Sequence, residues 1–407
     1  MLEVKSVSEV IRIIDDNFSI PGLESDVLRI EEAVGRIAAE DLKAPEDIPG
    51  FSRSSVDGYA VISADTFGAS ESTPAQLMHT GEVKMGEKPQ LSLKNGQAVY
   101  IPTGGEMPGN ADAVVMVEYT ENLDDGYVYI QKSAAPGNSV VYKGDDVKAG
   151  DLVIKSGTRL RPQDVGVLAA MGYSRIAVRR KIRVGIVSTG DEIIGVDEKP
   201  TGAQVRDINS YALYAGLLEH GAQPELYGIV KDNFENIRQV VDKALQHSDI
   251  VLVSGGSSAG ARDETRKVID SLGSPGVLVH GIAVKPGKPT ILGKIGEKAV
   301  IGLPGHPASA YSIFKAFVCH LIDVMDGRKD ELKPAVRAIM SCKYPSNSGR
   351  EEFLPVELGD NEGKLYASPV FGKSGLITLL TAADGYVHIS RGSEGVDQGS
   401  EVEVFLF

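Results

Sequence analysis

The stretch DIVLVSGGSSAGARDE, residues 249–264, decides the fold. Ile250, Val251, Leu252 and Val253 form an unbroken apolar run of strand length, as expected for a strand covered on both faces in a parallel sheet. Gly255-Gly256-Ser257-Ser258-Ala259-Gly260 then reads as a tight turn, and a helix is expected from near Asp263, with Val268, Ile269 and Leu272 on one face. Strand, glycine turn and helix start together make an anion cradle, because glycines let backbone N–H groups approach a phosphate and the helix dipole favours negative charge. Asp263 would cap that helix or hold a metal. The same turn serves equally as the plain strand-to-helix connection of a doubly wound sheet.

Outward from this stretch the pattern alternates. IRVGIV (182–187), LYGIV (226–230), VLVHGIAV (277–284), TILG (290–293) and KAVIGL (298–303) read as strands. NSYALYAGLLEHG (209–221), NFENIRQVVDKALQ (233–246) and HPASAYSIFKAFVCHLIDVMDG (306–327) read as helices. Such alternation predicts an α/β unit with a mostly parallel sheet, whose ligands sit beyond the carboxyl ends of the strands. Those ends are polar: Ser188-Thr189-Gly190-Asp191-Glu192, Ser254-Gly255-Gly256-Ser257, Lys285-Pro286-Gly287-Lys288-Pro289 and Pro304-Gly305-His306-Pro307. A nest of amides over 255–258, carboxylates at Asp191, Glu192 and Asp263, and amines at Lys285 and Lys288 suit a phosphorylated ligand held with Mg²⁺. Plainer readings stay open: a helix cap for Asp191, a solvated turn for the lysines, a structural loop residue for His306. The sequence contains no zinc-spaced Cys/His set, no nucleophile elbow, no P-loop and no dinucleotide fingerprint.

The flanks differ. Residues 6–18 read as a helix with a Ser6/Glu9 capping box and an apolar face of Val7, Val10, Ile11, Ile14 and Phe18, ended by Pro21-Gly22. Residues 28–42 hold two short strand-like runs, and LKAPEDIPGF (42–51) is extended. In PGFSRSSVDGYAV (49–61), Asp57-Gly58 is either a turn or a loop carboxylate aimed at a cleft. Strand-sized runs separated by Gly and Pro fill 60–143, with a second tight turn at Thr103-Gly104-Gly105, so this part reads as all-β. GDDVKAGD (144–151) is turn-rich, PQDVGVLAAMG (162–172) is a short helix with Pro first and Gly last, and 332–407 returns to short strands.

The chain has 407 residues, enough for several cores at 42% hydrophobic composition. Its net charge of −14 argues against nucleic-acid binding. Two cysteines, Cys319 and Cys342, make no disulfide framework. With no signal pattern and no apolar run approaching a membrane span, the expectation is a cytoplasmic protein with neither membrane nor nucleic-acid partner.

PGFSRSSVDGYA (49–60), PTGGEMPGNADAVVMVE (102–118), GDDVKAGD (144–151), VSTGDEI (187–193), SGGSSAGARD (254–263), KPGKP (285–289) and GLPGHPAS (302–309) together resemble the molybdopterin molybdenumtransferase family, MoeA and the E domain of gephyrin. The motifs stand in the family's order over the whole chain. The resemblance implies a multidomain α/β plus β fold: a split helical/extended domain (1–48 and 144–179), an inserted β domain (49–143), a molybdopterin-binding α/β domain (180–328) and a C-terminal β-barrel (329–407). It implies a reaction of adenylylated molybdopterin with molybdate that hydrolyses the phosphoanhydride, releases AMP and requires Mg²⁺. It implies a homodimer with a cleft shared between subunits, and contact with the molybdopterin adenylyltransferase. Carried over by motif, Asp57, Glu192 and Asp263 would be catalytic, the last two at the metal. Thr103, Asp146, Ser188, Gly190, Asp191, Gly255, Gly256, Ser257, Ser258, Lys285, Lys288, Pro304 and His306 would bind substrate. Arg350 of SGREEF and Ser374 of FGKSG resemble C-terminal positions whose loops reach the partner's cleft.

Three departures are visible: GLPGHP for the family's GLPGNP, SGGSSAG for SGGVSVG, and GDD for GED. They leave molybdate and tungstate, which share size and charge, unseparated. Two other classes stand beside this reading. A molybdopterin adenylyltransferase resembles the α/β part alone, and a scaffold like animal gephyrin would bind partners without turnover.

Overall fold

The computed structural model describes residues 4–18, 24–123, 125–255, 259–328 and 335–407, with the backbone alone of 259–263. At its centre is a six-stranded sheet ordered Gln223–Val230, Arg183–Thr189, Ile250–Gly255, Lys298–Leu303, Ile291–Ile295, Pro275–His280. The first four strands are parallel, and Ile291–Ile295 is antiparallel to both its neighbours. The register lines up the carboxyl ends: Ser188 faces Ser254, and Ser254 faces Leu303. Gly302 faces Ile291, which faces His280, so the 281–290 connection leaves from this same edge.

Alternate strand residues bury opposite faces. Ile186, Ile250, Leu252 and Ile301 join one core, while Val187, Val251, Val253 and Val300 join the other. Helices Asn209–Glu219 and Pro307–Asp326 cover the first core; Phe234–His247 and Ala259–Leu272 cover the second. Asn233 caps Phe234–His247, its Oδ1 accepting the Asn236 amide at 2.9 Å.

The helical segment Pro307–Asp326 runs 20 residues at a mean hydropathy of 1.3. By length and composition it reaches a membrane span, contrary to the expectation that no apolar run does. Its best apolar window is 67% buried, with Phe314, Phe317, Val318, Leu321 and Ile322 in the α/β core. Coverage by the sheet and neighbouring helices accounts for the all-round apolarity.

The first helix, Val7–Asn17, carries its capping box: the Ser6 amide donates to Glu9 Oε2 at 2.7 Å and the Glu9 amide to Ser6 Oγ at 3.3 Å. Its apolar stripe, Val10 and Ile14, with Phe18 just after it, is buried in the α/β core, although its chain position places it with 24–48. Those later residues form their own core with 147–178 through Ala33, Leu42, Ile154, Leu160, Leu168 and Val178. There Ser25–Arg29 pairs with Arg175–Arg179, and Ile30–Glu32 is a 3-10 turn.

Between these halves, six strands from Gly58–Val61 to Tyr127–Ile130 make a mixed sheet buried on both faces. At the C-terminus, Glu351–Asn361, Lys364–Pro369, Ala335–Met340, Glu401–Leu406 and Gly385–Ile389 pair in that order, and the last pairs back to the first. That closure removes the free edges of a barrel. Val284–Lys285 adds to it in parallel from the α/β unit.

Three local expectations are corrected. The helix after Gly255 begins at Ala259, not near Asp263; Ala259 and Ala261 favour helix, and Asp263 lies in the second turn, too far in to cap it. The strand expected over 277–284 ends at His280, where Gly281 breaks the pattern. After Thr189 the chain enters a short strand, Ile193–Ile194, paired with Val205–Arg206, so Asp191 caps no helix.

Candidate active site at the carboxyl edge of the sheet

Ser188 and Thr189 are buried at the end of their strand, beside Ser254 and Gly255. Gly255 has φ +144°, and a Cβ there would lie 1.9 Å from the Thr189 carbonyl oxygen, so only glycine lets the strand ends close up. A Cβ on Gly190 would meet Glu192 Oε2 at 2.9 Å, which places the Glu192 carboxylate over the turn. Asp191 and Glu192 are both exposed there. Gly256, Ser257 and Ser258, the expected nest, and the Asp263 side chain lie outside the described residues.

The neighbouring strand supplies a carboxylate that the sequence reading missed. Asp232 follows Gln223–Val230 at the same edge. Burial pushes its carboxyl above the ordinary value, the negative charges of Glu192 and Asp191 push it the same way, and the Thr189 hydroxyl opposes them. Its Oδ1 is buried without a hydrogen-bond partner. Its signal was an acidic residue two positions after the strand read at 226–230. Among the described residues no three His, Cys, Asp or Glu side chains form a ready metal cage. Asn209 joins two strand ends, donating to Ser254 Oγ at 2.9 Å and to the Gly305 carbonyl at 3.0 Å, while its own Oδ1 is buried and unpartnered.

The lysine loop is tied down by internal hydrogen bonds and close packing. Val284, Gly287 and Thr290 are buried, while Lys285 and Lys288 are exposed. Thr290 Oγ1 donates to the Gly287 carbonyl at 2.7 Å, and the Ile282 amide to the Lys288 carbonyl at 2.9 Å. A Cβ on Gly287 would strike Ile313 at 2.5 Å. Lys285 Nζ lies 2.8 Å from Glu352 of the barrel. Pro304 is buried, and the exposed His306 shares a 2.9 Å bond between Nδ1 and Ser374 Oγ. The Ala308 amide donates to the Ser374 carbonyl at 3.1 Å. Exposed Arg350 directly precedes Glu351, which pairs with Val284. Arg350 and Ser374 thus stand beside the α/β unit of their own chain.

Asp57 and Thr103 form a separate pair, to which no hydrogen bond or ion pair joins Asp146 among the described residues. Asp57 Oδ1 accepts from the Thr103 amide at 2.7 Å and from its hydroxyl at 3.0 Å. Gly58 is required by close approach, not by a turn: a Cβ would lie 2.0 Å from the Val115 carbonyl oxygen. Asp146 is exposed, with its amide on the Ile48 carbonyl at 3.0 Å. Among the described residues, no hydrogen bond or ion pair joins these three to the sheet edge.

Three family models match the chain: the MoeA N-terminal region (domains I and II) over 5–172, a probable molybdopterin-binding domain over 185–323 and the MoeA C-terminal region (domain IV) over 337–407. The chain belongs to the MoeA family. A putative molybdopterin biosynthesis protein of Methanocaldococcus jannaschii is 34% identical to this MoeA chain over 420 aligned residues, covering 100% of this chain and 98% of that one. The molybdopterin molybdenumtransferase of Bacillus subtilis is 30% identical, covering 94% and 90%. A solved MoeA protein from Pyrococcus horikoshii has a TM-score of 0.87 at 32% identity, covering all of both chains; another is 40% identical with a TM-score of 0.83, covering 99% of each. MoeA relatives under the transferase name are enzymes, and the molybdopterin-binding match spans every polar loop of the sheet edge.

Proposed function

We propose that this MoeA chain is a molybdopterin molybdenumtransferase of the cytoplasm. It takes adenylylated molybdopterin and molybdate at the carboxyl edge of the sheet. Water adds to a phosphorus of the phosphoanhydride, the bridging P–O bond breaks and AMP leaves; molybdenum then bonds to the two dithiolene sulfurs as one molybdate oxygen departs with their two protons as water. The observation that carries this reading is the orphaned Oδ1 of Asp232 beside Asp191 and Glu192.

A half-buried Asp232 facing the like charges of exposed Asp191 and Glu192 fits Mg²⁺, which takes one or two protein carboxylates and fills its other positions with phosphate oxygens and water. Two of the carboxylates of Glu192, Asp232 and Asp263 would hold the cation, which polarises the phosphoanhydride when bound. Lys285, Lys288 and Arg350 supply cationic donors for oxyanion oxygens. Asn209 fixes the spacing of the loops after Ser254 and Leu303. Asp57, Thr103 and Asp146, joined to this edge by no hydrogen bond or ion pair among the described residues, would enter the cleft from a second copy in a homodimer.

The test is to incubate the protein with adenylylated molybdopterin, molybdate and Mg²⁺. AMP and molybdenum cofactor should form together. Accumulation of adenylylated molybdopterin from molybdopterin and MgATP would instead make it an adenylyltransferase.

A further inference from the structure

Glu352 is buried, at 4% exposure, at a point where charge is costly. Both its oxygens are occupied. Oε1 lies 2.8 Å from Lys285 Nζ and accepts the Tyr344 hydroxyl at 2.8 Å, while Oε2 accepts the Ser346 hydroxyl. Burial and the bond to Glu352 raise the Tyr344 phenol, so it stays a donor. Backbone pairing fixes the frame: Lys285 faces Glu352 in the parallel pair, and the Glu351 amide donates to the Ala283 carbonyl at 2.9 Å. The Lys285 side chain remains 46% exposed. Its ammonium has three donors, of which Glu352 takes one.

We propose that Glu352 is a positioning residue for oxyanion binding. It anchors the Lys285 ammonium from behind, so that the remaining N–H groups face the sheet edge with their direction set before molybdate or phosphate arrives. An unanchored lysine must lose its rotamer freedom on binding; an anchored one has lost it on folding. The inference rests on the reading of Lys285 as an oxyanion ligand, and it makes the C-terminal barrel a working part of the α/β site.

The experiment measures AMP release against molybdate concentration in Lys285→Ala, Glu352→Ala, Glu352→Gln and the Lys285→Ala/Glu352→Ala double variant, with thermal melts as the folding control. Glu352→Ala should raise the half-saturating molybdate concentration on the order of tenfold, with a smaller change in kcat. Glu352→Gln, which keeps an acceptor, should fall between it and wild type, and the double variant should be no worse than Lys285→Ala. If Glu352→Ala fails to fold, Tyr344→Phe with Ser346→Ala loosens the same carboxylate and should shift half-saturation the same way, less far. Wild-type behaviour of Lys285→Ala would overturn the reading of the lysine loop itself. A weakened Lys285→Ala beside unchanged Glu352 variants, or tighter molybdate binding by Glu352→Gln, would overturn only the positioning role.

Discussion

Two carboxylate loops in this chain are built on opposite principles. Asp57 in the inserted β domain is satisfied: one oxygen accepts both the amide and the hydroxyl of Thr103. Asp232 at the sheet edge is frustrated, with a buried oxygen lacking a partner and two carboxylates raising its proton affinity. A satisfied carboxylate stabilises its own loop. A frustrated one costs stability until a cation or donor arrives, as functional sites often do.

The contrast can be broken by exchanging charge for amide. Asp232→Asn should cut AMP release about 100-fold. The same change should raise the melting temperature of the ligand-free protein by about 1–2 °C at neutral pH. The sign follows from the raised carboxyl: its stabilising contribution is present when protonated and lost as pH rises through the folded value, so at neutral pH the ionised group opposes folding. A melt lowered by that substitution would show that Asp232 is satisfied after all.

Thr103→Ala tests the other loop. It should cost less than about 1 kcal/mol in denaturant melts, since it removes one exposed hydroxyl bond and leaves the amide bond to Asp57 intact. A satisfied pair away from either loop gives a pH control. Burial opposes protonation of His220, but bonds to Asp323 and Cys319 push it up to about 9. Its contribution should be complete below about pH 6.5 and vanish as pH rises through the folded value. His220→Gln should therefore destabilise the protein at pH 6 and much less at pH 10. The smallest effect is expected from Ser374→Ala, which removes one exposed bond to His306; AMP release should change by less than about threefold.

Short-range features of the chain were legible. The Ser6/Glu9 box, the Asn233-capped helix and the KAVIGL strand stand where their patterns put them, because propensity and burial agree locally. Polar strand ends were legible for the same reason, since a parallel sheet leaves its carboxyl edge to loops. Asp232 was missed because it falls between LYGIV, read as a strand, and NFENIRQVVDKALQ, read as a helix, where nothing was assigned to it. Glu352 was missed for a different reason. Its link to Lys285 joins positions 67 residues apart through a two-residue pairing that no periodicity announces. The first helix shows the same limit: its stripe was evident, but not that the α/β core would bury it.

The most direct measurement is single-turnover AMP release by Glu192→Gln with adenylylated molybdopterin, molybdate and saturating Mg²⁺, beside a melt showing that the fold is kept. The rate should be at least about 100-fold below wild type. A wild-type rate from the folded variant would contradict this, because the reaction would then not depend on the carboxylates of the sheet edge.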